Sequence, residues 1–474
     1  MAVASPPHIR TPGARRAALV LPSAATMLAM MNYCAPMATL SVTAAGLGAG
    51  DGARIWLLGG INLGLTATLL VSGTLADDHG RRRVFAAGAA VLAAASTACA
   101  LAPNVAVFVA GRIVQGAASA AMLSAGLGML GHAHPGAAER TRATGVWSAM
   151  LSGGIAIGPI VSSLPAQTVS WRLWYWIAAA LAVPLALAAR SAPESRADRR
   201  RGLDVPGVLT LTAGVTALMT AITLGRTGWN DPRVLVLSVV GALLLGVFCA
   251  VETRRREPML DMRLLRRPGF AAATLGALVS GVAVIGMLTH LSTVLGHTLG
   301  LTPLGTSLVF LAWSGVAFTV SFRVGRLSPR FAHRHRLVLG LSLCAVGEAA
   351  MLGAGPGDPW WLLVPGLAIA GVGSGLSNAA LAALAVGSVP ADRAAMGSGA
   401  NNTARYLGAS IGVAMVAAIA AAGAGRSAAP EAVAHGIDIA LVVSAVLNLV
   451  AAGLIAVISG RRAPADAVSS PGPR

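Results

Sequence analysis

Lysine is absent from this chain, and charge of either sign is scarce. Charged residues make up 11% of the 474 positions, where about 25% is usual for soluble domains. A chain so poor in charge is not built to face water on every side. Mean hydropathy is +0.73 and 55% of residues are apolar, which makes lipid the expected solvent. Cysteine is nearly missing too. Cys34, Cys99, Cys249 and Cys344 all lie in apolar runs without metal-site or disulfide spacing, so they read as small core residues. Strict alternation of apolar and polar residues is lacking, which excludes a transmembrane β-barrel. No nucleophile–base pair, metal cluster or phosphate loop is present, so an enzyme is not expected and no cofactor or metal is called for.

What is there is a series of long apolar stretches. A helical span needs roughly 20 apolar residues, and fourteen stretches qualify, from Ala17–Leu40 to Ile437–Ile458. The net charge of +18 suggests nucleic acid until the arginines are placed. Arg54, Arg172, Arg226, Arg233 and Arg426 fall in loops on one side, and Arg112 and Arg405 fall inside spans. All other arginines lie in or beside segments on the opposite side. Positive residues stay cytoplasmic in short loops, so this bias puts both termini in the cytoplasm of a multi-pass plasma (inner) membrane protein. Arg-rich inner loops also suit anionic lipid heads; nucleic acid is not an expected partner. Cys34 does not mark a lipoprotein signal, because Asn32 and Tyr33 are too large for that cleavage site. Ala17–Leu40 is therefore read as a retained span.

The expected organisation is a cytoplasmic tail (1–16), a six-helix bundle (17–190), and Arg-rich linkers (191–268). These linkers carry an inserted pair, Val205–Leu224 and Val234–Val251. A second six-helix bundle (269–460) and a tail (461–474) follow, with both tails expected to be disordered. The bundles repeat each other weakly. Gly73, Leu75 and Gly88 align with Gly325, Leu327 and Gly340 at one constant offset, and Gly111 and Gly116 align with Gly366 and Gly371. Pseudo-symmetric membrane halves are the mark of a secondary transporter, with its substrate site between the halves near mid-bilayer.

Four motifs stand in order along the chain. They are Gly73-x-Leu-Ala-Asp77-x-x-Gly80-Arg81-Arg82 between spans 2 and 3, and Gly111-Arg112-x-x-Gln115-Gly116 in span 4. Gly145-x8-Gly154-x3-Gly158-Pro159 lies in span 5, and Gly397-Ser-Gly-x-Asn401-Asn402-x-x-Arg405-x-x-Gly408-x-x-x-Gly412 in span 13. Together they resemble the major facilitator superfamily, and the last two, with the span count, resemble its fourteen-helix drug:proton antiporters. The resemblance implies an all-α fold of two six-helix bundles plus an inserted helix pair. It also implies alternating-access efflux of hydrophobic small molecules (a drug, antibiotic or self-made metabolite) driven by the proton motive force, by a protein expected to act as a monomer. The alternatives are a lipid-like substrate carrier or uncoupled facilitator of the same fold and, ranked lower, a non-transporting membrane sensor or scaffold.

Each motif also has its own physical reading. Asp77 sits where a carboxylate can pair with arginines or with a neighbouring helix's positive N-terminus. In the family this loop latches the cytoplasmic side of the outward-facing state. Asp78 stands where a basic residue is usual. Pro329 and Arg330 replace the acids in the second copy, so only the first loop is expected to latch. Arg112 lies roughly 12 Å into its span at 1.5 Å per residue. Burying it costs on the order of 3 kcal/mol or more, which asks for a cavity or partner. Gly154, Gly158 and Pro159 form a small-residue face with a bend, suited to close helix contact.

By family analogy spans 1, 2, 4, 5, 9, 10, 12 and 13 line the cavity, and none carries an acid at mid-depth. Asn32 falls where Asp is typical, and Met37 where Asn is typical. The groups expected there for coupling or substrate contact are Arg112, Gln115, Asn32, Tyr33, Trp147, His290, Trp313, Asn401, Asn402, Arg405 and Tyr406. His290 is the one whose ordinary pKa suits titration. Glu348 in span 11 and Asp438 in span 14 are embedded acids on peripheral helices and possible protonation sites. Permanent cations need a cavity carboxylate or an aromatic cage, so a neutral or anionic hydrophobic substrate is expected.

Overall fold

The computed structural model describes residues 12–197, 204–225, 228–255, 258–288, 291, 295, 301–326, 331–355, 357–424 and 430–460. These form fourteen long helices and no strand among the described residues: α1 Pro12–Gly46, α2 Asp51–His79, α3 Arg81–Leu101, α4 Val105–Ala133, α5 Ala137–Thr168, α6 Arg172–Ala188 and α7 Val205–Gly225. There follow α8 Pro232–Arg254, α9 from Pro268, α10 Pro303–Arg323, α11 His333–Ala349, α12 Val364–Gly387, α13 Ala394–Ala424 and α14 Pro430–Gly460. Twelve are long and apolar enough to cross a membrane by length and composition alone. Of the other two, α11 is a short helix of 17 residues, and α13 carries Asn401, Asn402 and Arg405.

Local chemistry accounts for the ends. Asn104 accepts the Val107 N–H at the start of α4, Asp231 accepts the Arg233 N–H at α8, and Thr302 accepts the Gly305 N–H at α10. Such caps contribute about 1 kcal/mol each. Proline opens α8, α9 and α10, where its missing N–H costs nothing. Helix α1 starts at Pro12, so residues 12–16, expected to belong to a disordered tail, are helical; proline is again preset for a first turn. In α9 the α-helix of Pro268–Val279 gives way to a π-helical turn over Ser280–Ile285. Extra-residue turns of this kind are common at functional sites.

Helices α1 to α6 pack on one another, chiefly α2 on α4, α1 on α5 and α3 on α4 and α6. Helices α9 to α14 form a second group through α11 on α12 and α14, α10 on α12, and α13 on α9 and α14. The inserted helices α7 and α8 pack on each other, and α7 leans on α2 and α13. A polar knot pins this pair at its Arg-rich end. Asp204 Oδ1 accepts the Gly207 N–H at 2.8 Å and a guanidinium N–H of Arg255, and Glu252 accepts the Leu260 N–H at 2.9 Å.

The two groups meet along α2 against α13 and α5 against α10. Between them lies an apolar core built from both: Met30 of α1, Leu65 and Leu69 of α2, Leu127 of α4, Trp147 of α5, Val386 of α12 and Tyr406 of α13. Backbone approach is close where glycines line the contact between α9 and α13. A side chain on Gly408 or Gly412 of α13 would strike the Leu278 or Val282 carbonyl of α9, and one on Gly281 would strike the Arg405 carbonyl. Of the cysteines, Cys34, Cys99 and Cys344 are buried, whereas Cys249 is exposed on the outer face of α8 and is not a core residue.

Candidate functional site

The turn between α2 and α3 is set by Gly80, the C-cap of α2 and N-cap of α3, at φ 116°. That left-handed region is open to glycine at no steric cost, and a Cβ there would also press on Glu194 Oε1 at 2.9 Å. The sharp turn stacks Asp77 one helical turn before Arg81. Arg81 Nε donates to Asp77 Oδ1 at 2.8 Å, and both side chains are 0% exposed.

The same carboxylate reaches the second group of helices. Asp77 Oδ2 accepts the Met396 N–H at 2.7 Å and Oδ1 the Ala395 N–H at 3.2 Å. It therefore caps the N-terminus of α13, where unsatisfied N–H groups and the helix dipole favour negative charge. Arg81 completes the bridge by donating to the carbonyls of Ala391, Asp392 and Gly128. Both anticipated partners of Asp77, an arginine and a helix N-terminus, are thus engaged at once. Gly73 lies against the Ala395 carbonyl, where no Cβ would fit.

Asp78 and Arg393 were not foreseen as a pair. Arg393 Nη1 donates to Asp78 Oδ1 at 2.7 Å, with side chains 7% and 13% exposed. Asp78 is therefore a second tie between the halves, and the acid suits its place because the opposing loop supplies an arginine. The second half meets this loop with the Ala391–Arg393 turn that precedes α13; Pro329 and Arg330, part of its weaker copy of the loop, lie outside the described residues. The segment after α6 straps the loop from outside. Ser195 accepts the Arg81 N–H at 2.9 Å, Ala197 donates to the Asp77 carbonyl at 2.7 Å, and Glu194 accepts the Arg82 N–H at 3.1 Å and pairs with its guanidinium at 3.4 Å. Only charge on both segments hinted at this strap.

Deeper in the first half, Arg112 is 0% exposed. Its Nη1 donates to the Asn32 carbonyl and to Gln115 Oε1, both at 2.9 Å, and Gln115 Nε2 donates to Ser96 at 2.9 Å. Its Nε and Nη2 have no hydrogen-bond partner among the described residues. The guanidinium thus ties α4 to α1 through neutral groups, and no carboxylate among the described residues pairs with it. Asn32, where an acid is typical, meets Arg112 chiefly through its backbone carbonyl; its Oδ1 lies 3.5 Å from Nη1, and its Nδ2 has no hydrogen-bond partner among the described residues.

The other expected contact residues are divided. Tyr33 and Tyr406 meet across the halves with ring centroids 5.7 Å apart, and the Tyr406 hydroxyl donates to Met30 Sδ at 3.2 Å. Trp147 lies 2% exposed in the core between the halves. Trp313 donates to Ser374 at 3.0 Å. Asn401 donates to the Ala273 carbonyl of α9 and Asn402 to its own helix at Ser398. Arg405 is buried and donates to Asn378 Oδ1, a partner far away in sequence. His290 lies outside the described residues. In α5, Gly154 and Gly158 lie against the α1 backbone at Met27 and Met31, and Gly145 against the Ser321 carbonyl of α10. Pro159 sits inside α5 immediately after Gly158. Glu348 accepts one amide, from Asn448 at 3.0 Å. Asp438 accepts the Gly353 N–H at 3.0 Å, closing the far end of α14 onto the loop after α11.

Comparison with known proteins completes the description. The Major Facilitator Superfamily pattern matches residues 23–413. The multidrug resistance protein Stp of Mycobacterium tuberculosis is 32% identical over 79% of this chain and 70% of its own. The puromycin resistance protein of Streptomyces alboniger is 29% identical over 95% of this chain and 93% of its own. Among solved structures, the human organic anion transporter MFSD10 superposes with a TM-score of 0.67 at 15% identity, over 94% of this chain and all of that one. At that identity the likeness speaks for the fold alone.

Proposed function

The chain belongs to the major facilitator superfamily, and from that premise we propose that it exports hydrophobic small molecules by alternating access, driven by inward proton flow. The observation that carries this reading is the tie between Asp77 and the start of α13. Its two N–H contacts join separate halves, so they can exist only while that end is closed. A carrier needs such contacts to favour one facing state and to be broken in the other. Relatives named for multidrug and puromycin resistance support drugs or antibiotics as the cargo class.

The finer reading follows the charges. The protein sits in the plasma membrane as a monomer with both termini cytoplasmic, its Arg-rich loops against anionic lipid heads. The closed end is then the cytoplasmic one, and the cavity opens outward. Two buried guanidiniums and no described carboxylate on the cavity helices at mid-depth favour neutral or anionic cargo over permanent cations. A second reading, uncoupled facilitation, has one specific support: Asn32, whose amide side chain cannot ionise, is 0% exposed at the place where an acid is typical.

The test is efflux of Nile red, an uncharged hydrophobic dye, from an efflux-deficient bacterial host, set beside ethidium, a permanent cation. Cells carrying the protein should clear Nile red faster than empty-vector cells, and a protonophore should abolish the difference. Efflux that persists with the protonophore points to facilitation. No difference from empty vector overturns export of such molecules, and stronger clearance of ethidium than of Nile red overturns the cargo class.

A further inference from the structure

Helix α11 carries an acid that the latch and the first-half network leave unused. Glu348 is 3% exposed and lies against α14, where Asn448, 0% exposed, donates Nδ2–H to Glu348 Oε2 at 3.0 Å. No ion pair reaches it among the described residues. The helices packed on α11 are α12, α14 and, more lightly, α9. Described residues of α12 and α9 include no Asp, Glu, Lys, Arg or His past the α9 cap, and those of α14 are Glu431, His435 and Asp438. Asp438 is tied to Gly353 instead. An ionised carboxylate at Glu348 would therefore be buried with a single neutral donor, the setting in which charge is least affordable.

The surrounding atoms suit a carboxyl that exchanges a proton. Asn448 Oδ1, on the same amide that donates to Glu348, has no hydrogen-bond partner among the described residues, and neither has Ser444 Oγ one turn away. A carboxylic O–H supplies the donor that the amide oxygen lacks, giving a two-way acid–amide pair; loss of the proton leaves only the single bond. A polar line then leads from this place towards the seam between the halves. One turn before Glu348, Cys344 Sγ lies 3.6 Å from Ser374 Oγ, which accepts the Trp313 Nε1–H at 3.0 Å. Trp313 belongs to α10, the helix that meets α5 of the other half.

Resting on the proton-coupled reading above, we propose that Glu348, paired with Asn448, takes up and releases the transported proton, so that the coupling acid sits between α11 and α14 of the second half. The proton is taken from outside and released to the cytoplasm, opposite to the cargo. Its arrival and departure switch the α11–α14 tie between two hydrogen bonds and one.

Glu348→Gln tests this, because glutamine keeps an acceptor for Asn448 and cannot titrate. With purified full-length protein in weakly buffered detergent, Nile red binding is read by fluorescence and proton release by a pH indicator. The Glu348→Gln protein should bind Nile red within threefold of wild type, release at least tenfold fewer protons, and show cellular efflux no faster than wild type with protonophore. Proton release equal to wild type overturns the proposal. Loss of Nile red binding together with proton release also overturns it, since that is what a purely structural carboxyl would do. If the glutamine variant does not reach the membrane, Glu348→Asp decides: a shifted pH midpoint of proton release supports the proposal and an unshifted one overturns it. Failure of the efflux reading itself shows separately, as a wild type with no protonophore-sensitive Nile red efflux.

Discussion

Replacing Asp77 with asparagine should open the latched end. The carboxylate accepts Ala395 and Met396 N–H groups from the far half and Arg81 from its own. The Arg81 contact lies within one half and survives opening, so its loss affects both states and drops out of the difference. Asparagine keeps one acceptor oxygen, so about one inter-half hydrogen bond to a charged group is lost, at roughly 1.5–3 kcal/mol. The remaining bond loses its charge at a helix N-terminus, a further ~0.5–1 kcal/mol. The latched state is then weaker by about 2–4 kcal/mol, and its ratio to the open state falls roughly 30- to 700-fold at ~1.4 kcal/mol per decade. For a protein latched about 99:1, between a quarter and most of the molecules would stand open. Spin labels at Ala138→Cys and His335→Cys, exposed sites at the Arg-rich starts of α5 and α11, in a background free of the four native cysteines, read the separation by pulsed electron resonance. The Asp77→Asn protein should gain a longer-distance population of that size. An unchanged distribution at equal protein level would refute the reasoning.

Other outcomes follow from the same geometry. Gly73→Leu, which puts a side chain against the Ala395 carbonyl, should cut energised Nile red efflux at least tenfold, about the effect of a clash worth ~1.4 kcal/mol in the latched state, with membrane level unchanged. Arg112→Met should abolish energised efflux yet leave the thermal midpoint in detergent equal or higher, because removal of a buried charge without a counter-ion offsets the lost Asn32 and Gln115 bonds; a fall in stability with intact efflux would reverse the assignment. A lipid-soluble maleimide should modify Cys249 alone in the folded protein, as counted by intact mass, since Cys34, Cys99 and Cys344 are buried.

The course of the helices was legible because length and apolarity suffice to write a span, and proline, glycine and capping residues mark its ends. The early start of α1 was not legible because Pro12, Gly13, Arg15 and Arg16 read as a polar tail, and the π-helical turn in α9 was not because the apolar run continues across it. The latch was half legible. Asp77, Gly80 and Arg81 stand within one turn of each other in the chain, so their mutual geometry follows from the loop itself. The Asp78–Arg393, Arg405–Asn378 and Glu348–Asn448 contacts join separate helices, and nothing local in any one segment names its partner in another.

By itself the sequence determined that this chain lives in a bilayer as two helical groups with an inserted pair, because the cost of exposing backbone polar groups to lipid leaves long apolar segments no alternative to helix. It also concentrated most arginines in alternate loops between the spans and withheld an acid from mid-depth in span 1. Tertiary structure alone decided which charges found partners. Asp77 became a helix cap, Asp78 part of an ion pair and Glu348 the partner of a single amide, since a buried group's role depends on the few atoms that touch it, and those arrive from other helices.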